Sequence, residues 1–225
     1  KILLMLSTLA LMLAPAISYA GNFTMGVTFS NNSLDTDGTE DIDSNGTIDG
    51  EKNVTDDFMV GSIFAEYTNM GDRFGITVGI DYVPFDADID KRSITQSSVK
   101  GASDGAATSG TNSVSGSVED HRTIYIQPGM AVGTNSMFYL TYGFVSADIH
   151  GKSVSISHTD ISETKSLDGT KLGLGIKRVS DGGMVVKLDY AETSYDTVSF
   201  TTDNSTKASA DLDNKSIAIS VGKQF

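Results

Sequence analysis

The chain of 225 residues has no cysteine, no tryptophan and only three prolines. Without cysteine there is neither a disulfide framework nor a thiolate metal site, so the fold rests on packing, hydrogen bonds and charge. Bases are scarce too: 16 Lys and Arg against 29 Asp and Glu give a formal net charge of -13. Phosphate contacts need clustered Lys and Arg, so this balance argues against a nucleic-acid partner. Beyond residue 20 no apolar run approaches the roughly 20 residues that a membrane-spanning helix requires.

The first twenty residues differ from the rest. Lys1 precedes the apolar runs Ile2–Leu6 and Leu9–Leu13, and small residues follow at Ala14, Ala16, Ser18 and Ala20. This is the pattern of a secretory signal peptide, with cleavage expected after Ser18-Tyr19-Ala20 and a mature chain of 21–225. An exported chain that enters lipid without apolar helices has one remaining solution. It must close its strands into a barrel, so that every backbone N–H and C=O is satisfied internally.

The mature sequence has the matching periodicity. Eight segments alternate apolar and polar residues with a period of two. The third sets Phe74, Ile76, Val78, Ile80 and Tyr82 against Arg73, Gly75, Thr77, Gly79 and Asp81. The fifth sets Phe138, Leu140, Tyr142 and Phe144 against Tyr139, Thr141 and Gly143. The others centre on Phe23–Phe29, Met59–Tyr67, Ile124–Val132, Leu172–Ile176, Met184–Tyr190 and Ile217–Phe225. Alternation alone fits a soluble sandwich as well as a membrane barrel. Three further features favour the barrel. Short connections near residues 69–72, 133–136 and 180–183 alternate with long ones at roughly 31–57, 85–120, 149–167 and 199–213, as in barrels with short periplasmic turns and long external loops. The polar faces mix charge with glycine, which suits a narrow lumen filled by side chains. Up-and-down threading gathers Phe23, Tyr67, Phe74, Phe138 and Phe225 at one end and Phe29, Tyr82 and Phe144 near the other, forming two aromatic girdles. Two residues sit awkwardly. Pro128 lies inside the fourth segment, where a local bulge is expected to absorb it. Lys223 lies in the lipid-facing phase, close enough to the end for its ammonium to reach the interface.

The signal sequence, the eight alternating segments, the loop rhythm and the alternating last strand with Val221 and terminal Phe225 resemble the eight-stranded OmpA-like and opacity-type outer-membrane β-barrels of Gram-negative bacteria. The resemblance covers 21–225. It implies an all-β, eight-stranded antiparallel transmembrane barrel in the cell outer membrane, in contact with outer-membrane lipid; the placement of acidic charge adds an expected bridge through divalent cations to lipopolysaccharide. The resemblance also implies recognition of the C-terminal strand, through Val221 and Phe225, by the barrel-assembly machinery.

Three groups of residues invite a functional reading. Residues 31–57 hold nine carboxylates and one base, Lys52. Within them Asp41, Asp43, Asn45, Thr47 and Asp49 resemble the first donors of a calcium loop, with Gly46 at its turn and Lys52 where a bidentate Glu is required. Calcium is therefore a cofactor expectation carried by an incomplete motif, against the alternative of a solvated acidic loop. Glu66, Arg73, Lys171, Lys177, Lys187 and Asp189 are expected in the lumen, with Glu66 and Arg73 paired across one hairpin. They would make either a salt-bridged plug or, alternatively, the lining of a small-solute, porin-like channel. His121, His150 and His158 fall near the bases of the long loops, close to many Ser and Asp residues. No nucleophile elbow accompanies them, so a catalytic role is not expected. The resulting expectation is a non-enzymatic barrel with a structural or interaction role and acidic external loops.

Overall fold

The computed structural model describes residues 23–41, 46–100, 107–154, 161–201 and 207–225; the expected signal peptide lies outside the described residues. Ten antiparallel strands follow in order: β1 (Phe23–Asp41), β2 (Gly50–Met70), β3 (Phe74–Tyr82), β4 (Ala87–Lys100), β5 (Ala107–Ala131), β6 (Ser136–Val154), β7 (Ile161–Val179), β8 (Met184–Tyr195), β9 (Val198–Thr201) and β10 (Lys207–Gln224). They form eight staves. β3 and β4 pair in turn with β5, and the break between them falls at Pro84, which has no N–H to give a ladder. β8 and β9 likewise both pair with β10. β1 pairs with β10, which closes the ring and leaves no free edge at that level.

The ladder registers fix the shape. Stepping between partners from Thr24 leads through Glu66, Gly79, Tyr125, Gly143, Lys171, Thr193 and Asn214, and returns to β1 at Leu34, ten residues beyond the start. Eight staves with that stagger tilt by roughly 40° and leave an interior just wide enough for side chains.

The two faces are those the alternation predicts. Ile76, Val78, Leu140 and Ile219 point outward, 44%, 49%, 55% and 53% exposed, while Thr24, Glu66, Thr77 and Thr123 are buried inside. Apolar rows outside and polar rows inside invert the order of a water-soluble protein, and only a lipid surround makes that order favourable. With the stagger taken into account, Phe29, Ile63, Tyr82, Ile124, Phe144, Leu172, Tyr190 and Ile217 form the top course of this belt at one level. Polar or charged residues stand directly above most of them, among them Asn31, Arg122, Ser146, Thr170, Glu192 and Lys215.

The staves continue past the belt, and there the polarity reverses. In β6, Phe144 faces out and its neighbour Val145 is buried inside, followed by buried Ala147 and Ile149. Leu167, Val198 and Leu212 complete a buried apolar cluster, with Leu34, Val118, Tyr195, Phe200 and Ala210 packed against it. Above the belt water lies outside, so the apolar residues move in. Two ladders stop at this height. β2 and β3 pair only up to Ile63 and Tyr82, and β7 and β8 only up to Gly169 and Tyr195. The upper part is thus two sheets, β9–β10–β1–β2 and β4–β5–β6–β7, facing each other across the cluster.

Two expectations are corrected here. The long segments 31–57, 85–120, 149–167 and 199–213 are not loops over most of their length, because the strands run on through them. Pro128 causes no bulge. The β5–β6 register is unchanged on either side of it, from Ile126↔Tyr142 to Gly129↔Tyr139, and only the ladder bonds beside Pro128 are missing. The Gln127 amide spans this gap by donating to Thr141 Oγ1 at 3.0 Å. The bulge in β5 lies higher, between Glu119 and Arg122, where Asp120 takes a left-handed φ of 52°. Lys223 does leave the lipid phase as expected, and its ammonium donates to the carbonyl of Gly182 in the turn between β7 and β8.

Candidate functional site

The lumen inside the belt is filled. Glu66, from the inward face of β2, is fully buried and meets two lysines from the opposite wall. Lys177 Nζ lies 3.0 Å from Oε1 and Lys187 Nζ 2.8 Å from Oε2. These lysines are direct cross-strand partners on β7 and β8. Side by side they would repel each other; Glu66 between them removes that cost. The Tyr125 hydroxyl also donates to Glu66 at 3.1 Å, Lys177 donates to Thr68 Oγ1 at 2.8 Å, and Thr68 and Thr77 share a hydrogen bond of 2.9 Å. Lys187 lies over three rings, 5.2 Å from Phe64, 5.5 Å from Tyr125 and 5.3 Å from Tyr139, all buried. Tyr139 in turn donates to Asp189 at 2.6 Å.

Glycine makes room for these rings. A Cβ on Gly79 would stand 2.4 Å from the Tyr125 ring, and one on Gly175 2.7 Å from the Tyr139 ring. The glycines on the polar faces are thus the holes into which lumen side chains fit.

Toward the outside, Asp81, Lys171 and Asp189 border a cavity of about 60 Å³. Ser62 donates to Asp81 at 2.8 Å. The space is polar and large enough to hold ordered water. Inward Glu66, Asp81 and Asp189 balance inward Lys171, Lys177 and Lys187, so the plug carries no net charge.

Of the expected lumen charges, Glu66, Lys171, Lys177, Lys187 and Asp189 are where the alternation put them. Arg73 is not. It precedes β3, in the turn after β2, and its guanidinium lies 5.8 Å over the Phe74 ring. The expected Glu66–Arg73 pair is replaced by the two lysines. Asp81 belongs to the lumen set as well, and its polar phase in the third segment is the sequence signal for it.

The histidines meet hydroxyl groups. His121 sits at the β5 bulge with Nε2 3.1 Å from the Tyr195 hydroxyl. His150 stands outward on β6, Nδ1 2.9 Å from Thr164 Oγ1 and Nε2 3.3 Å from Ser162 Oγ. His158 lies outside the described residues, as do Asp43 and Asn45 of the calcium-like motif. Within that motif Gly46 takes φ 85° and donates its N–H to Asp41 Oδ2 at 2.8 Å, with Thr47 and Asp49 following. Among the described residues no three His, Asp or Glu side chains gather as a metal site.

On the outer wall above the belt, Asp35, Asp37, Glu192 and Asp213 line a groove of about 530 Å³ that also contains Lys215. Thr55 donates to Asp35 and Ser194 to Asp213, at 2.7 and 2.6 Å. Lys215 approaches Asp35 at 3.7 Å, with both groups solvated. At the other end Val221 and Phe225 stand outward on the closing strand, and Phe225 N–H donates to Phe23 O.

No protein-family model and no curated protein matches the chain. Among solved structures, the fold is similar to that of the outer membrane protease OmpT of Escherichia coli. The TM-score is 0.54 at 8% identity, over 91% of this chain and 97% of that one. Ail, the attachment invasion locus protein of Yersinia pestis, solved with the heparin analogue sucrose octasulfate, matches at 12% identity over 91% and 99% of the two chains, with a TM-score of 0.46. Neisserial surface protein A matches at 8% identity over 88% and 97%, with a TM-score of 0.40. The fold is that of an outer-membrane β-barrel.

Proposed function

We propose that this chain is an integral outer-membrane protein without enzymatic activity, a sealed barrel that anchors a rigid, acidic β-structure facing the outside. The observation behind this reading is the pair of opposed interiors on the same eight staves. Within the belt the interior is a neutral plug of buried charge around Glu66. Above it the interior is apolar, from Ala147 to Leu212. The first arrangement closes the lumen, since open aqueous pores need more strands than eight. The second stiffens the projecting part, whose outer wall carries Asp35, Asp37, Glu192 and Asp213. Such a wall repels polyanions and favours partners that bring positive charge.

The alternative is a small-solute channel. Purified protein inserted into planar bilayers separates the two. A sealed anchor gives no steady single-channel current across the ordinary range of applied voltage. Reproducible conductance steps that disappear in heat-denatured samples would replace this reading with the channel.

A further inference from the structure

The two most exposed large apolar side chains of the described residues are Met59, at 78%, and Phe85, at 72%. Neither belongs to the lipid belt. On β2 the belt ends at Ile63, and Met59 faces outward four residues higher. On the neighbouring stave it ends at Tyr82, and Phe85 lies three residues higher. At a rise of about 3.3 Å per residue and a tilt of roughly 40°, Phe85 stands some 7 Å above the top course. Elsewhere that height carries polar or charged residues such as Arg122, Ser146, Thr170, Glu192 and Lys215. The raised apolar step is therefore confined to one side of the barrel.

That side is also where the wall opens. The β2–β3 ladder ends at Ile63↔Tyr82, and β4 pairs with β5 alone, so the upper halves of β2 and β4 flank a seam. Pro84 and the turn of the chain at Phe85 start it. Continuing the β2–β3 register would set Phe85 opposite Val60, between Phe58 and Met59 in level. Phe58, on the inner face of β2, is itself 38% exposed because no stave covers it. At the lower mouth of the seam, Met59 and Phe85 thus stand above Ile63 and Tyr82 of the belt with only Gly61 and Pro84 marking the outward step between, and Phe58 lies beside Met59 on the inner face of β2.

We propose that an acyl chain of the outer leaflet rises into this mouth and lies against Phe58, Met59 and Phe85. Side chains this exposed would be costly in water. Their continuity with a surface that already faces hydrocarbon identifies lipid, rather than a second protein, as what covers them. The seam gives the chain room that a closed ladder would deny it. This rests on the membrane reading above.

The absence of tryptophan makes the test clean, since one introduced Trp is the only one in the chain. Phe85→Trp, Met59→Trp, Ser146→Trp and Leu140→Trp are folded separately into phosphatidylcholine vesicles with bromine on the acyl chains at a shallow position. Insertion is checked for each variant by heat-dependent gel migration. Leu140→Trp, in the middle of the belt, reports whether the barrel faces lipid at all; its failure to be quenched would sink the membrane reading itself. With Leu140→Trp quenched, acyl contact at the seam gives Phe85→Trp and Met59→Trp at least twice the quenching of Ser146→Trp, which stands above the belt on another wall. Quenching at the Ser146→Trp level for both seam variants overturns the proposal and leaves the step facing water or a protein.

Discussion

Glu66 sits fully buried between two ammonium groups, and its worth lies mostly in what its removal would strand. Breaking a buried pair by deleting one partner costs about 3–5 kcal/mol, because the remaining charge has no compensation. Glu66→Gln keeps the shape and strands Lys177 and Lys187 side by side. It is expected to lower clearly the temperature at which the compact form converts to the extended form on a detergent gel. An unchanged conversion temperature would mean that the plug adds nothing to the barrel's stability. That Glu66, Lys177 and Lys187 face inward is legible from the sequence, because alternation fixes the side of a strand. Their mutual contact is not. It joins β2 to β7 and β8 across the lumen, residues 111 and 121 positions apart. Arg73 is close in sequence, but its place before Phe74 leaves its direction to the turn rather than to the pleat.

At the scale of strands, a change of phase carries most of the information. The step from Phe144 outward to Val145 inward occurs without a break in β6. The sequence reads as an alternating segment followed by a loop, because the apolar residues beyond Phe144 change to the other parity and become sparse. In the folded chain the same strand has crossed from lipid into water. Leu34, Leu167 and Leu212 mark the same crossing on β1, β7 and β10. Pro128 is the converse case. The missing N–H is absorbed by losing ladder bonds to β6 without a change of register, a solution that composition alone does not distinguish from a bulge. The upper cluster makes its own prediction. Leu167→Ala removes a buried side chain, at a cost of about 2–5 kcal/mol. It is expected to speed proteolysis of the projecting strands in vesicles several-fold while the belt segments stay protected. Equal cleavage in the variant and the parent would show that this cluster does not hold the upper sheets together.

For the whole molecule, closure and charge act together. Eight staves with a stagger of ten fix a narrow interior. Three inward acids and three inward lysines neutralise it, so the acidic excess of the described residues lies outside the lumen. Strand number and faces were legible in the sequence, since each follows from a period of two and the spacing of turns. The seam and the outer groove were not, because they depend on where two ladders stop in space. The central claim is that the bulky faces touch hydrocarbon up to Phe144 and that water takes over above it. Because the chain has no cysteine, single nitroxide labels on Leu140→Cys, Phe144→Cys and Asp148→Cys report each outward position of β6 in vesicles. Collisions with oxygen should exceed those with a water-soluble nickel chelate at 140 and 144, and the order should reverse at 148. Labels at 140 and 144 that are shielded from both, or more accessible to nickel than to oxygen, would contradict the barrel's placement in lipid.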